Sequence, residues 1–121
     1  MYGRTAALFA TTMLAFCAAA PAWAVDVLDL SNEFNANGLA FRQKFVGKRV
    51  TVTGNAWVID GEVTPGYVSL SAPDRIGGLL ICTVTDKSRL VRLSKGRPVT
   101  VSGTVQGFNS AGIQLKPCDV E

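Results

Sequence analysis

Residues 47–54 read Gly-Lys-Arg-Val-Thr-Val-Thr-Gly, and residues 96–103 read Gly-Arg-Pro-Val-Thr-Val-Ser-Gly. Each segment opens after a glycine, alternates valine with small polar residues, and ends on a second glycine. Alternation of period two is the signature of a half-buried strand. A glycine inside such a pattern marks a bulge or a sharp bend. The likeness stops after eight residues, so this is no tandem repeat. The two segments read as strands with the same task, each turning in at a glycine, burying alternate valines and bending at the next glycine.

The other elements follow from these two. Val50, Val52, Ala56 and Val58 carry the first strand, and Asp60-Gly61-Glu62 with Pro65-Gly66 marks the turn after it. Tyr67 to Ser71 is a second strand, with Val68 and Leu70 inward and Tyr67, Ser69 and Ser71 outward. Pro73, Asp74, Gly77 and Gly78 form the next turn. Leu79 to Val84 is a third strand whose continuous apolar run predicts burial on both faces. Asp86 to Ser94 breaks the strand pattern. Thr85 or Asp86 can cap it, Leu90 and Leu93 give it an apolar stripe, and Gly96 stops it, which predicts a helix of about two turns. Val99, Val101 and Val105 make a fourth strand, Gly107 to Gly112 a turn, and Ile113 and Leu115 a fifth strand closed by Pro117 and Cys118. Upstream, Val25 to Leu30 reads as a connector. Ser31 can cap a following helix, in which Phe34, Gly38, Phe41 and Phe45 share one face. Asn35, Asn37 and Gly38 weaken that helix, and it ends near Gly47.

The order is therefore β-β-β-α-β-β with an N-terminal helix. Short strands leave costly open edges, so closure into a barrel is expected. Five strands with a helix between the third and fourth is the arrangement of the OB-fold, an all-β class. In that barrel the third strand lies beside the fifth, which brings Cys82 near Cys118. Plain alternation puts Cys118 on the face opposite Ile113 and Leu115, so either a kink at Pro117 re-aims it or the bridge lies outside the core.

Compartment comes from the first 24 residues. Arg4 is a positive n-region, Ala6 to Ala20 an uncharged apolar stretch, and Ala22-Trp23-Ala24 a small-x-small cleavage site. Cleavage between Ala24 and Val25 is expected. The apolar stretch is short for a membrane span, and bulky Phe16 before Cys17 argues against lipoprotein processing. The expected product is periplasmic or secreted, without stable membrane insertion. The chain has 121 residues. The expected organisation is a signal peptide at 1–24, a connector and helix at 25–46, and a barrel at 47–121. Cys17 leaves with the leader, and an even pair, Cys82 and Cys118, remains in an oxidising compartment, where a disulfide is the default. A redox pair would need a C-x-x-C motif, which is missing.

Composition narrows the function. The chain has no histidine, 12 Lys+Arg and 9 Asp+Glu. Mean hydropathy is +0.26, and the excess of apolar residues lies in the leader. Loss of Arg4 leaves a mildly basic protein, which is weak support for a polyanionic partner. Arg89, Arg92, Lys95 and Arg97 fall close together and read as the solvated end of a helix. Without histidine, a serine or cysteine nucleophile lacks its usual base. There is no phosphate-binding glycine loop, no G-x-S-x-G and no metal-ligand cluster. Asp60 and Glu62 read as turn residues. A non-enzyme without metal or cofactor is expected.

Several stretches resemble a known family. Residues 37–54 (NGLAFRQKFVGKRVTVTG), 79–84 (LLICTV), 90–105 (LVRLSKGRPVTVSGTV) and 113–118 (IQLKPC) look like the tRNA_anti-like group of OB-fold proteins. Exported bacterial OB-fold proteins of the BOF type are similar in size and compartment. The resemblance implies a binding fold and no catalytic residue. OB-folds bind on the face of their second and third strands, flanked by the loops after the first and fourth. Mapped onto this chain, the candidate ligand residues are Trp57, Tyr67, Ser69, Ser71, Arg75, Phe108 and Asn109; the alternatives are a core place for Trp57 after the Gly54 bend and a cap of the barrel end by Phe108. Their expected ligand is a protein, a peptide or an envelope saccharide. Single-stranded nucleic acid and a structural place in an envelope complex are the alternatives, nucleic acid being disfavoured by compartment and low charge.

Overall fold

The computed structural model describes residues 24–74 and 77–121. The expected signal peptide up to Trp23, and Arg75, lie outside the described residues. Six strands and two α-helices follow one another: β1 (Val25–Asp26), α1 (Val27–Ala36), α2 (Gly38–Phe45), β2 (Arg49–Asp60), β3 (Tyr67–Ser71), β4 (Leu80–Val84), a 3-10 helix (Lys87–Arg92), β5 (Pro98–Asn109) and β6 (Gly112–Val120). The sheet order is β1-β2-β3-β4-β6-β5, and β5 pairs back onto β2. Strands β2 to β6 thus close a five-stranded barrel, the small OB-fold architecture.

The two similar segments meet each other. Val52 opposes Val101, Thr51 opposes Ser102 and Thr53 opposes Thr100 in the antiparallel ladder that closes the barrel. Val52 and Val101 are fully buried. Both segments start from a left-handed glycine, Gly47 at φ 86° and Gly96 at φ 87°, which only glycine adopts freely. On the outer side of this ladder the Thr51 and Ser102 hydroxyls lie 2.8 Å apart.

The inner glycines also make room for close contacts, and the β5–β6 register shifts just after Gly103. Strand β2 runs unbroken through Gly54, and its register slips between Ala56 and Val58 instead. A Cβ at Gly54 would stand 2.8 Å from Cγ1 of Val27. Gly54 therefore marks the place where the start of α1 lands on the barrel. At Gly103 a Cβ would stand 2.6 Å from the Pro117 carbonyl oxygen and 2.9 Å from Cα of Cys118. That glycine lets β6 press against β5. The register slips by one residue on β6 against both β4 and β5 between Leu115 and Cys118. This slip re-aims Cys118 inward, as the Pro117 position requires. Cys82 and Cys118 form a disulfide with Cα atoms 5.4 Å apart, and both are buried. Cross-linking a loop of this size removes about 3–4 kcal/mol of chain entropy from the unfolded state.

Several expectations are corrected. The N-terminal helix is two helices, because Asn37 adopts an extended conformation, its backbone N–H still donating to the Glu33 carbonyl while its Oδ1 accepts from the Ala40 amide at 3.0 Å. Asp26 caps α1 through the Leu28 amide at 2.8 Å, and Ser31, expected to cap, is buried inside the helix. Val27 and Leu30, read as connector, are fully buried. Strand β4 alternates, with Leu80, Cys82 and Val84 buried and Ile81 and Thr83 half-buried; it is one-sided rather than buried on both faces. The expected two-turn helix is a six-residue 3-10 helix. Strands β5 and β6 extend well past Gly107 and Pro117, leaving Ser110-Ala111 as the turn. Phe34, Phe41 and Phe45 do pack on one side of the helical pair, with Phe41 almost fully buried against the barrel end.

The Gly103 contact predicts a clear stability difference. Gly103→Ala places a methyl against backbone that cannot yield, and should cost about 1–3 kcal/mol in denaturant unfolding of the oxidised protein. Gly107→Ala, on the same strand, meets nothing within 4 Å and should shift stability by no more than about 0.5 kcal/mol. Equal effects would contradict the close approach of β6.

Candidate functional site

The residue slip in β2 falls at Trp57, between the pairs Ala56–Leu70 and Val58–Ser69. This places the half-buried indole on the outer wall of the barrel. A hydrogen-bonded turn holds a cation over it. The Arg97 amide donates to the Ser94 carbonyl at 3.1 Å, with Gly96 supplying the left-handed step. The turn is clipped to β2 by Gly96 N–H to the Ala56 carbonyl at 2.7 Å and by Ala56 N–H to the Arg97 carbonyl at 2.9 Å. Lys95 then lies with its Nζ 5.3 Å from the Trp57 ring centre. A cation over a half-buried ring at the surface contributes about 0.5–1 kcal/mol.

The outer face continues from Trp57 across β3, β4 and β6. Val58, Ser69, Ile81 and Gln114 are in register as one row, and Asp60, Tyr67 and Thr83 as the next. Tyr67, Ile81, Thr83 and Gln114 are half-buried, and Val58 is 38% exposed. The result is a shallow surface of aromatic, aliphatic and hydroxyl groups with few charges. It can stack on a flat or apolar ligand face and offer hydrogen bonds at its edge.

The expected ligand residues divide. Trp57 and Tyr67 stand on this face. Ser69 and Ser71 were expected outward and are buried, at 6% and 3% exposure. Gly78 lies directly on Ser69, leaving no room for a Cβ, and α1 contacts β3. Phe108 is half-buried at the other end of the barrel. Its ring is 4.2 Å from Phe34 and 5.9 Å from Phe41, and the Arg42 guanidinium lies 4.8 Å from its centre. Asn109 is exposed, but its Oδ1 accepts from the Ala111 amide at 2.8 Å and from Gln114 Nε2 at 3.3 Å, which shapes the β5–β6 turn. The residues missed are Val58, Ile81, Thr83, Gln114 and Lys95. Alternation within 80–84 could have shown Ile81 and Thr83. Nothing local marks Lys95, because the hydrogen bonds that aim it reach back to Ala56.

The neighbouring loop is built from its own polar groups. Asp60 Oδ1 accepts from the Glu62 amide at 2.9 Å, and Lys87 Nζ donates to the Val63 carbonyl at 2.9 Å. Under it, Leu90 of the 3-10 helix is buried. Asp86 caps that helix, accepting from the Ser88 hydroxyl at 2.6 Å and the Ser88 amide at 3.0 Å. Among the described residues no group of three His, Cys, Asp or Glu side chains is placed to hold a metal ion.

A closed five-stranded barrel with this outer face is an OB-fold domain of the binding type. The tRNA_anti-like family model matches residues 7–119; the chain belongs to that family. Among solved structures it is similar to a lipoprotein of Klebsiella pneumoniae whose name proposes nucleic-acid binding. The likeness covers 82% of this chain and 91% of that one, at 20% identity and a TM-score of 0.66. It is also similar to the Stn1–Ten1 complex of S. pombe, covering 60% of this chain and 57% of that one, at 16% identity and a TM-score of 0.42. No curated protein matches the chain in sequence.

The Asp86 cap has a pH signature. The Ser88 hydroxyl and amide, assisted by Arg89, hold the carboxyl below the ordinary aspartate value. Its capping is therefore complete above that ordinary value and is lost as pH falls through the lowered one. A carboxyl-carbon NMR titration should find the Asp86 midpoint below that of a free aspartate, and Ser88→Ala should move it upward. An unchanged midpoint in Ser88→Ala would contradict the cap.

Proposed function

We propose that the protein is a non-catalytic, exported binding module that holds a protein, peptide or envelope saccharide on the outer face of β3 and β4, beside Trp57. The observation that carries this reading is the composition of that face. A half-exposed indole and Tyr67 sit among Val58, Ile81, Thr83 and Gln114, which favours a ligand with apolar or hydroxyl-bearing surface over a densely charged one. Export is supported by the leader-like residues 1–24 and by the buried Cys82–Cys118 bridge, which persists in oxidising compartments. On this reading mature protein starts at Val25, and residues 25–46 serve as a helical cover for the barrel at 47–121.

Single-stranded nucleic acid is the second reading. Lys95 over Trp57 favours it, since bases stack on aromatic rings beside cations. The name of the Klebsiella lipoprotein points the same way.

Loss of Trp23 with the leader leaves Trp57 as the tryptophan that reports on this face. A cell-wall saccharide or an envelope peptide should change its emission. Trp57→Ala and Tyr67→Ala should each weaken that binding about tenfold or more, with far-ultraviolet dichroism unchanged. Variants that bind like the parent would remove the site from this face. A response to oligothymidylate that falls steeply with salt would establish the second reading instead.

A further inference from the structure

Four cations at Arg89, Arg92, Lys95 and Arg97 read in sequence as one solvated patch. The structure gives them separate tasks. Arg89 donates from Nη1 to the Val120 carbonyl at 2.9 Å. Lys95 covers the Trp57 ring. Arg92 and Arg97 line one pocket of about 290 Å³, together with Ser94 and with walls from Ala56, Leu93 and Val99.

The backbone that carries both arginines is fixed. Leu93 N–H donates to the Leu90 carbonyl at 3.1 Å and closes the 3-10 helix just after Arg92. Arg97 sits at the end of the Ser94 turn, with its own carbonyl accepting from Ala56. Among the described residues neither arginine has a carboxylate within ion-pair distance; the ion pair found there joins Lys44 and Glu33. Asp26 and Glu121 line the adjoining groove, which shares the walls Leu93, Pro98 and Val99. Arg92, Ser94 and Arg97 are exposed, and two cationic residues lining one pocket favour an anion there.

We propose that this pocket is an anion site, in which Arg92 and Arg97 hold a phosphoryl group of a ligand and the Ser94 hydroxyl donates to it. Two planar guanidinium forks and a hydroxyl offer more donors than the two oxygens of a carboxylate can accept, and a phosphoryl group presents three oxygens. The pocket is built on β2, the Ser94 turn and β5, away from Tyr67 and Ile81. It does not depend on the reading of the β3–β4 face. A sugar phosphate, a phospholipid headgroup and a nucleic-acid backbone all carry the required group.

The test uses the exported protein, labelled with nitrogen-15, titrated with inorganic phosphate at constant ionic strength. Saturable shifts of the Ser94, Lys95, Gly96 and Val99 amides are expected. Arg92→Gln and Arg97→Gln should each weaken the binding about tenfold, with melting temperature and Trp57 emission unchanged. Shifts that chloride reproduces, that fail to saturate, or that survive both substitutions would overturn the proposal. Glucose 1-phosphate, phosphatidylglycerol vesicles and oligothymidylate are then competed against phosphate. The one that displaces it identifies the carrier of the group. Displacement by none of them means an adventitious ion only and overturns the proposal. Loss of saccharide or peptide binding in Trp57→Ala with these shifts intact would separate the two surfaces.

Discussion

The antiparallel ladder between residues 49–55 and 98–104 holds the rest of the molecule in place. It joins the first and fourth strands of the barrel, and without it the sheet would be an open ribbon with two long edges. Two similar eight-residue segments supply it, each entering from a left-handed glycine and each putting a valine, Val52 or Val101, into the core. The two segments face each other across the same core layer, and each ends at a glycine where a Cβ would meet a neighbour, the Val27 side chain at Gly54 and the Pro117–Cys118 backbone at Gly103.

Each half of the ladder also fixes a neighbour. On β2, Gly54 admits Val27, so α1 and the phenylalanines behind it can cover one end of the barrel. On β5, Gly103 admits the backbone of Pro117 and Cys118, so β6 can carry the second half of the disulfide into the core. Just beyond the ladder, Ala56 exchanges hydrogen bonds with the Ser94 turn. That exchange sets Lys95 over Trp57 and fixes the backbone of Arg97. Fold closure and the two candidate binding surfaces thus share a few residues of β2.

Much of the fold is legible in the sequence because it rests on local rules. Period-two valines, glycine turns and the cysteine pair lead to the barrel and the bridge without any structure. What is not legible rests on distant contacts. Gly54 and Gly103 read as bends, and they are contact points as well, because the atoms that need the space belong to Val27, Pro117 and Cys118. Ser69 and Ser71 were expected outward and are buried, Ser69 beneath Gly78, which comes from the following loop. Asn37 breaks the helix that the phenylalanine spacing alone would continue. Of the candidate ligand residues, Trp57 and Tyr67 stand where a ligand can reach them, whereas Phe108 spends its ring on Phe34 and Phe41.

The binding reading and the fold meet in one requirement: the β2–β5 seam must stay shut for Trp57, Lys95 and Arg97 to keep their places. Native-state hydrogen exchange of the oxidised protein measures this directly. Slowly exchanging backbone amides in residues 49–55 and 98–104 should open only with global unfolding, at the free energy found in denaturant. Exchange of that seam at markedly lower free energy than the β3–β4 pair would show a barrel that opens between its first and fourth strands, and would contradict a site built on that closure.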